Sequence, residues 1–317
     1  MSRHKKLIPL IVIIVMLAAF PKLGVPDAWI LYILLFFVYL AMANMWNLLC
    51  GYSGLISLCQ PAFIGIAGYT LVLLVWVGVP FYVAIIAGGI VAGAFAVLIS
   101  IPVFRLRGIY FAIGTLVVPE ALRILFLLWR PVGGKLHGGG AGYMLRGMSG
   151  VSVAHYYWIA CVVGIGSFFL MRLILCSKLG LGLAAIREND RSAASSGLNV
   201  FKLKLYSFVI SGFVTGIAGA VFYLYQGYIE PGAAFSIQWT MIPILATVIG
   251  GISTEEGPII GTVVVVFLDF LLARYAGISM FIQGAILVGI MLLAPQGIMK
   301  IGKQIRTYCF RLRSTNA

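Results

Sequence analysis

Residues 28–49 read AWILYILLFFVYLAMANMWNLL, 22 positions without a Lys, Arg, Asp or Glu. A helix rises about 1.5 Å per residue, so this stretch covers the roughly 30 Å hydrocarbon core of a bilayer. In that medium a backbone must satisfy its own N–H and C=O groups, and a helix does so within one segment. The stretch predicts a membrane-spanning helix and decides the class of fold for the rest of the chain.

Comparable apolar runs lie on both sides of it, at 7–25, 61–78, 80–104, 109–129, 156–175, 205–225, 239–252, 257–273 and 277–294. Together they predict an all-α polytopic membrane protein of about eight to ten transmembrane helices. The run at 239–252 is short and contains a terminal Gly-Gly, so it is read as re-entrant or as half of a broken helix. Leu48–Ser57 is a second place where the chain can enter the membrane without crossing it.

Composition agrees. Of 317 residues, 62% are hydrophobic and 9% charged, whereas soluble domains carry about 25% charged residues. Ordinary soluble enzymes, disordered chains and nucleic-acid modules are excluded on that ground. The longest polar stretches, 130–155 and 176–204, are too short to bury cores of their own, so residues 1–317 are expected to form a single transmembrane domain.

The 22 Lys and Arg against 8 Asp and Glu give a net charge of +14. In a ten-span arrangement with the N-terminus inside, 16 basic residues fall on cytoplasmic segments, 5 on outer loops, and Arg123 within a span. Such asymmetry is the signature of topology, and it predicts cytoplasmic N- and C-termini. The first run starts with Arg3, Lys5 and Lys6 ahead of an apolar core, Leu7–Phe20, like a signal peptide. It lacks a small-x-small cleavage site and is expected to remain as an uncleaved span.

Catalytic chemistry is hard to find. Cys50, Cys59, Cys161, Cys176 and Cys309 form no CxxC pair or metal-ligand cluster and read as small apolar fillers. His4, His137 and His155 sit in termini or loops without partnered acids. Gly134-Lys135 is followed by Leu136, not by Ser or Thr, so there is no phosphate-binding loop; any ATP must be held by another chain.

Four features can carry function. In Gly51–Tyr69, small residues recur at Gly51, Gly54, Ser57, Gly65 and Gly68, and Pro61 after Gln60 is expected to break a helix. Two readings stand: an interrupted helix bordering a solute path, or tight packing through small residues. Glu120 and Arg123 are three apart in an apolar run, on one helix face, with Pro119 before them. They line a polar path or form a structural ion pair. The outer glycines Gly133, Gly134, Gly138, Gly139, Gly140 and Gly142 are expected to make a mobile loop, touching a soluble partner. Finally, residues 184–195 predict a short cytoplasmic helix stopped by Gly197, with Leu183, Ile186, Ala193 and Ala194 as a docking face. Its plain alternative is a solvated connector.

Several ordered stretches resemble one family. They are Asn47-Leu48-Leu49-x-Gly51-Tyr52-x-Gly54-Leu55-Ile56-Ser57, Thr115-Leu116 with Glu120-x-x-Arg123 and Trp129, and Ala185-Ile186-Arg187-Glu188-Asn189-Asp190 with Gly197-x-Asn199. Further along stand Ser211-Gly212-x-x-x-Gly216-x-Ala218-Gly219-Ala220, Gly250-Gly251, Gly257-Pro258-x-x-Gly261 and Ala294-Pro295-Gln296-Gly297. From about Asn47 to Gly297 the chain resembles the LivM-type permease subunit of branched-chain amino acid ABC importers.

The resemblance implies a non-catalytic transport subunit in a bacterial inner membrane, working with a homologous second permease, two ATPase subunits and a periplasmic substrate-binding protein. No cofactor is implied for this chain itself, and ATP is used by the partner ATPase subunits; its other surroundings are the lipid bilayer, and no nucleic acid is involved. Within the loop 176–204, the resemblance makes Ala185, Ile186, Arg187, Glu188, Asn189, Asp190, Gly197 and Asn199 a coupling helix seated in an ATPase cleft. It places Gly51, Gly54, Ser57, Gln60, Glu120 and Arg123 around the translocation pathway. Cys59-Gln60 and the acidic Ile252–Glu256 depart from the family pattern; the thiol is expected to narrow a pathway, and the acidic stretch to meet the ATPase or water. Branched-chain amino acids, other amino acids, urea and short amides all stay open as cargo. The competing class is a self-sufficient ion-coupled transporter or channel, with Glu120 or Asp269 as the ion site.

Overall fold

The computed structural model describes Pro21 and residues 26–131, 138–145, 152–273 and 276–293. The expected first span (Pro21 aside), Cys309 and the Ala294–Gly297 motif lie outside these residues. Helix α1 spans Asp27–Trp46 and continues into a wide π-helical turn, Asn47–Tyr52. Residues 54–59 are non-helical, and α2 then runs from Gln60 to Trp76. Helices α3 (Phe81–Val103) and α4 (Ile109–Leu128) follow. Pro80 in extended geometry opens α3, and Gly108 at φ 55 opens α4; both residue types punctuate helices.

A two-residue strand β1 (Tyr143–Met144) leads to α5 (Val153–Leu175). Next come α6 (Lys178–Glu188), α7 (Asp190–Ser195) and the 27-residue α8 (Val200–Gln226). Strand β2 (Tyr228–Ile229), the short α9 (Pro231–Ala234), α10 (Gln238–Gly250), α11 (Gly257–Leu272) and α12 (Ala276–Leu293) complete the described chain. Among the described residues, six segments are long and apolar enough to cross a membrane: Asp27–Tyr52, α3, α4, α5, α8 and Pro231–Gly250. Helices α2 and α11 are apolar but shorter. The chain is an all-α, multi-pass membrane protein.

Small residues set the packing. Helix α8 lies against α2 and α3, where Gly212 faces Phe63 and Ala96, Gly216 faces Ala67 and Ala92, and Gly219 faces the backbone of Ile64. Lipid tails are as apolar as leucine, so helices associate in a bilayer by close fit, which small residues three or four apart permit. Helix α10 meets α11 in the same way, with Gly261 on the carbonyl of Ala246. Helix α1 is held by α5, α8, α10 and α11. Helix α4 is different: it touches α2, α3 and α9 and is the least buried of the six segments.

Four expectations need correction. Pro61 starts a helix instead of breaking one: it occupies the first turn of α2, where a missing N–H is harmless, and the interruption lies upstream at 54–59. The predicted helix at 184–195 is two helices, because Asn189 adopts an extended backbone and its side chain caps α7 by accepting from Arg191 N and Ser192 N. Leu183, Ile186 and Ala193 are buried within the chain, so only Ala194 of the proposed docking face remains exposed. The outer loop is pinned over 138–145. Tyr143 and Met144 pair antiparallel with Ile229 and Tyr228, Trp76 Nε1 donates to Met144 O at 2.9 Å, and Gly142 at φ 67 crosses against the Ile229 carbonyl where a Cβ would collide.

Candidate functional site

Two pockets flank the interruption between α1 and α2. The first, of about 610 Å³, is bounded by Ser53–Ile56, by Phe104, Leu106, Arg107, Gly108 and Phe111, and by the α6–α7 joint. Arg107, Arg187, Arg191 and Lys204 gather there, with Glu188 and Asp190 between them. Lys204 Nζ bonds Asp190 Oδ2 at 2.5 Å, tying α8 to α7. Gly54, at φ 71, sits under Arg187, whose Cα lies within van der Waals reach of any Cβ placed there. This end of the bundle is basic; the β1–β2 ribbon marks the other.

The α1 end of the interruption is clamped from far along the chain. Asn47 Oδ1 accepts from Ser253 N at 3.0 Å, Asn47 Nδ2 donates to Thr254 O at 2.8 Å, and Ser253 Oγ donates to Gly51 O at 2.8 Å. Ser253 holds φ 63 to do this, an uncommon conformation for a residue with a Cβ. Gly51 is packed on Ser253 and Asn47, leaving no room for a side chain. Glu255 of the same loop pairs with Arg172 at 3.8 Å. Ser253 and Thr254 are thereby built into the fold, while Glu255 stays partly exposed and Glu256 exposed.

The second pocket, of about 340 Å³, lies beside α4 where two helix breaks converge. One wall is Leu58 and Pro61, from the α1–α2 break; another is Phe235, Ile237 and Thr240, from the α9–α10 break. Hydrogen bonds hold the walls together: Thr240 Oγ1 donates to Leu58 O at 3.2 Å, and Leu58 N donates to Thr115 Oγ1 on α4 at 3.0 Å. Leu116, Val117, Pro119 and Glu120 supply the α4 side. Glu120 and Arg123 form a two-pronged pair, with Nε on Oε2 at 2.9 Å and Nη2 on Oε1 at 2.5 Å. Their side chains are 55% and 35% exposed on the outer face of this chain.

The candidate residues thus divide. Gly54, Ile186, Arg187, Glu188, Asn189 and Asp190 share the basic pocket, and Glu120 with neighbouring Arg123 marks the α4 pocket. Ser57 and Gln60 are fully buried between the two. Ser57 O accepts from Trp46 Nε1 at 3.0 Å, while the Gln60 amide meets no hydrogen-bonding partner among the described residues. Ala185 is half-buried. Gly197, at φ 82, follows α7, and Asn199 caps α8 by accepting from Lys202 N at 3.0 Å. Cys59 is buried and lines neither pocket, so it narrows neither; Cys176 is exposed. Asp269 accepts from Gln283 Nε2 at 2.7 Å and also lies apart from both.

Sequence reasoning missed Ser253, Phe235 and Thr240. Thr240 and Ser253 act across 182 and 206 residues respectively, and only the short, broken look of the 239–252 run pointed toward them. At the ribbon end, burial and the adjacent Glu230 carboxylate raise the pKa of the Tyr228 phenol. Its hydroxyl donates to Ala141 O at 3.0 Å and stays protonated as a strut at physiological pH.

The sequence model of the family described as branched-chain amino acid transport system / permease component matches residues 29–294. The high-affinity branched-chain amino acid transport system permease protein LivM of Salmonella typhimurium is 28% identical over 288 residues, covering 83% of this chain and 68% of that protein. The protein of the same name from Escherichia coli matches with the same identity and coverage. A probable branched-chain amino acid transport permease protein LivM of Methanocaldococcus jannaschii is 26% identical over 188 residues, covering 59% of this chain and 54% of the relative. No solved structure matches the chain.

Proposed function

The chain belongs to the branched-chain amino acid transport permease family, and from that premise we propose that it is the membrane subunit of an ABC importer for branched-chain or related amino acids. It is a transport subunit, not a catalyst: separate ATPase subunits hydrolyse ATP, and a second permease of the same family completes the pathway. The excess of Lys and Arg at the α6–α7 end supports placing that end in the cytoplasm of a bacterial cell, against the ATPase. A periplasmic binding protein then docks at the ribbon end. No cofactor is assigned to this chain.

One observation carries the mechanism: the α6–α7 unit rests directly on the interruption between α1 and α2. Leu183 and Ile186 bury the inner face of α6, so the unit is anchored, while Arg187–Ser192 stand exposed on its outer face. A push on those exposed residues is delivered through Arg187 to Gly54. Residues 54–59 are non-helical, so they bend more readily than a helix would. The clamp by Asn47 and Ser253 fixes the far side of the break, so motion is directed toward Leu58 and the α4 pocket. Asn189, Gly197 and Asn199 serve this action by shaping the joint and the start of α8.

The test uses the assembled transporter in proteoliposomes. Arg187→Ala with Glu188→Ala leaves the Asn189 cap intact, and both positions are exposed, so stability is expected to change by less than about 0.5 kcal/mol. Amino acid uptake is expected to fall about tenfold or more while ATP hydrolysis continues. Normal coupled uptake would remove the coupling assignment. Uptake by this chain alone, driven by an ion gradient without ATPase subunits, would overturn the importer reading in favour of an ion-coupled transporter.

A further inference from the structure

Helix α4 turns its two charges away from the bundle. Glu120 and Arg123 lie past the middle of a 20-residue apolar helix, and both remain on the chain's outer face. Charged side chains within a span avoid lipid and face protein or a water-filled cavity. This face of α4 is therefore not a lipid face.

The pocket beside Glu120 indicates what it meets instead. Its volume, about 340 Å³, falls within the range of roughly 300–1,000 Å³ usual for small-ligand sites. Its walls are aliphatic and aromatic: Leu58, Leu116, Val117, Phe235 and Ile237. One ionised group stands at its edge, and that group already carries its own counter-ion. A neutral Glu–Arg pair matches a solute that is itself a neutral pair of opposite charges. An ammonium can approach the exposed carboxylate of Glu120 while a carboxylate approaches the guanidinium of Arg123, each ion exchanging partners without leaving an unpaired charge. A lone fixed charge would instead hold one end of the solute and repel the other.

Resting on the permease reading above, we propose that the α4 pocket is a station on the transport path for α-amino acids with aliphatic side chains. The ammonium sits on Glu120, the carboxylate on Arg123, and the side chain against Leu116, Val117 and Phe235. Urea and short amides carry no charge pair, and urea has no aliphatic group either, so both are poor occupants. The apolar walls also disfavour amino acids whose side chains are themselves charged, since burying such a group unpaired is costly.

The experiment is uptake of radiolabelled leucine and alanine by the assembled transporter in proteoliposomes with ATP. Glu120→Gln is expected to raise the KM for leucine about tenfold, with Glu120→Asp recovering part of the loss. Val117→Trp, at a residue exposed in this chain, fills part of the pocket and is expected to lower leucine uptake about tenfold more than alanine uptake. That size discrimination is something a merely structural role would not produce, and it decides the matter if Glu120→Gln fails to assemble. Leucine and alanine kinetics within about twofold of wild type in both Glu120→Gln and Val117→Trp would overturn the pocket assignment. Absence of ATP-dependent uptake in the wild-type complex would instead overturn the permease reading on which it rests.

Discussion

Helices α8 and α4 are written in nearly the same alphabet yet play opposite parts. Both are long and apolar enough to span a membrane. Helix α8 presses Gly212, Gly216 and Gly219 into α2 and α3, and much of its length from Ser207 to Leu224 is buried. Helix α4 buries only Phe111, Thr115, Pro119 and Phe126. Hydrophobicity places a helix in the bilayer, and small residues decide which helix is gripped. The gripped helix holds the fold. The ungripped one keeps a free face, and that is where the charges and the α4 pocket are found.

The comparison is most easily broken at Gly219. A Cβ there would lie 2.7 Å from Ile64 Cα, a backbone atom that cannot rotate away. Gly219→Leu is expected to destabilise the protein by about 3 kcal/mol or more, seen as loss of monodisperse protein in detergent or a large fall in Tm. Asn47→Ala comes next. It removes both bonds to the 253–254 backbone, and about 2 kcal/mol is expected for the buried groups left unpaired. A modest fall in Tm should accompany faster proteolysis near 251–256. The smallest effect belongs to α4: Ile124, exposed, should tolerate Ala within about 0.5 kcal/mol. An Ile124→Ala loss as large as that of Gly219→Leu would show that α4 is gripped after all, and the contrast between the helices would fail.

Much of the bundle was legible because its punctuation is local. The runs at 80–104 and 109–129 fall within a residue of α3 and α4, since Pro80 and Gly108 mark the entries. The interruption near Gly51–Ser57 and the broken character of the 239–252 run were legible for the same reason. Orientation of faces was not. Leu183 and Ile186 look like a docking stripe in sequence, because nothing in an apolar spacing distinguishes an outward partner from the chain's own helices. Pro61 was misplaced because proline ends some helices and begins others, and the choice depends on where the neighbouring N–H groups are satisfied. The Asn47–Ser253 clamp and the pairing of Tyr143 with Ile229 join residues too distant for any local rule. The convergence of two breaks on Glu120 follows from those distant contacts and is invisible without them.

The clamp on the π-helical turn also has a consequence in time. Asn47 and Ser253 are 206 residues apart, and at about 5–20 residues per second roughly 10–40 s of translation separate them. From the start of that interval α1 is already made, and α2 follows within roughly its first 30 residues, while the partners for Asn47 do not yet exist. The turn reaches its final shape only after the loop before α11 has emerged. The nascent chain therefore carries an unclamped turn through most of its synthesis, and a loop from its last third supplies the clamp.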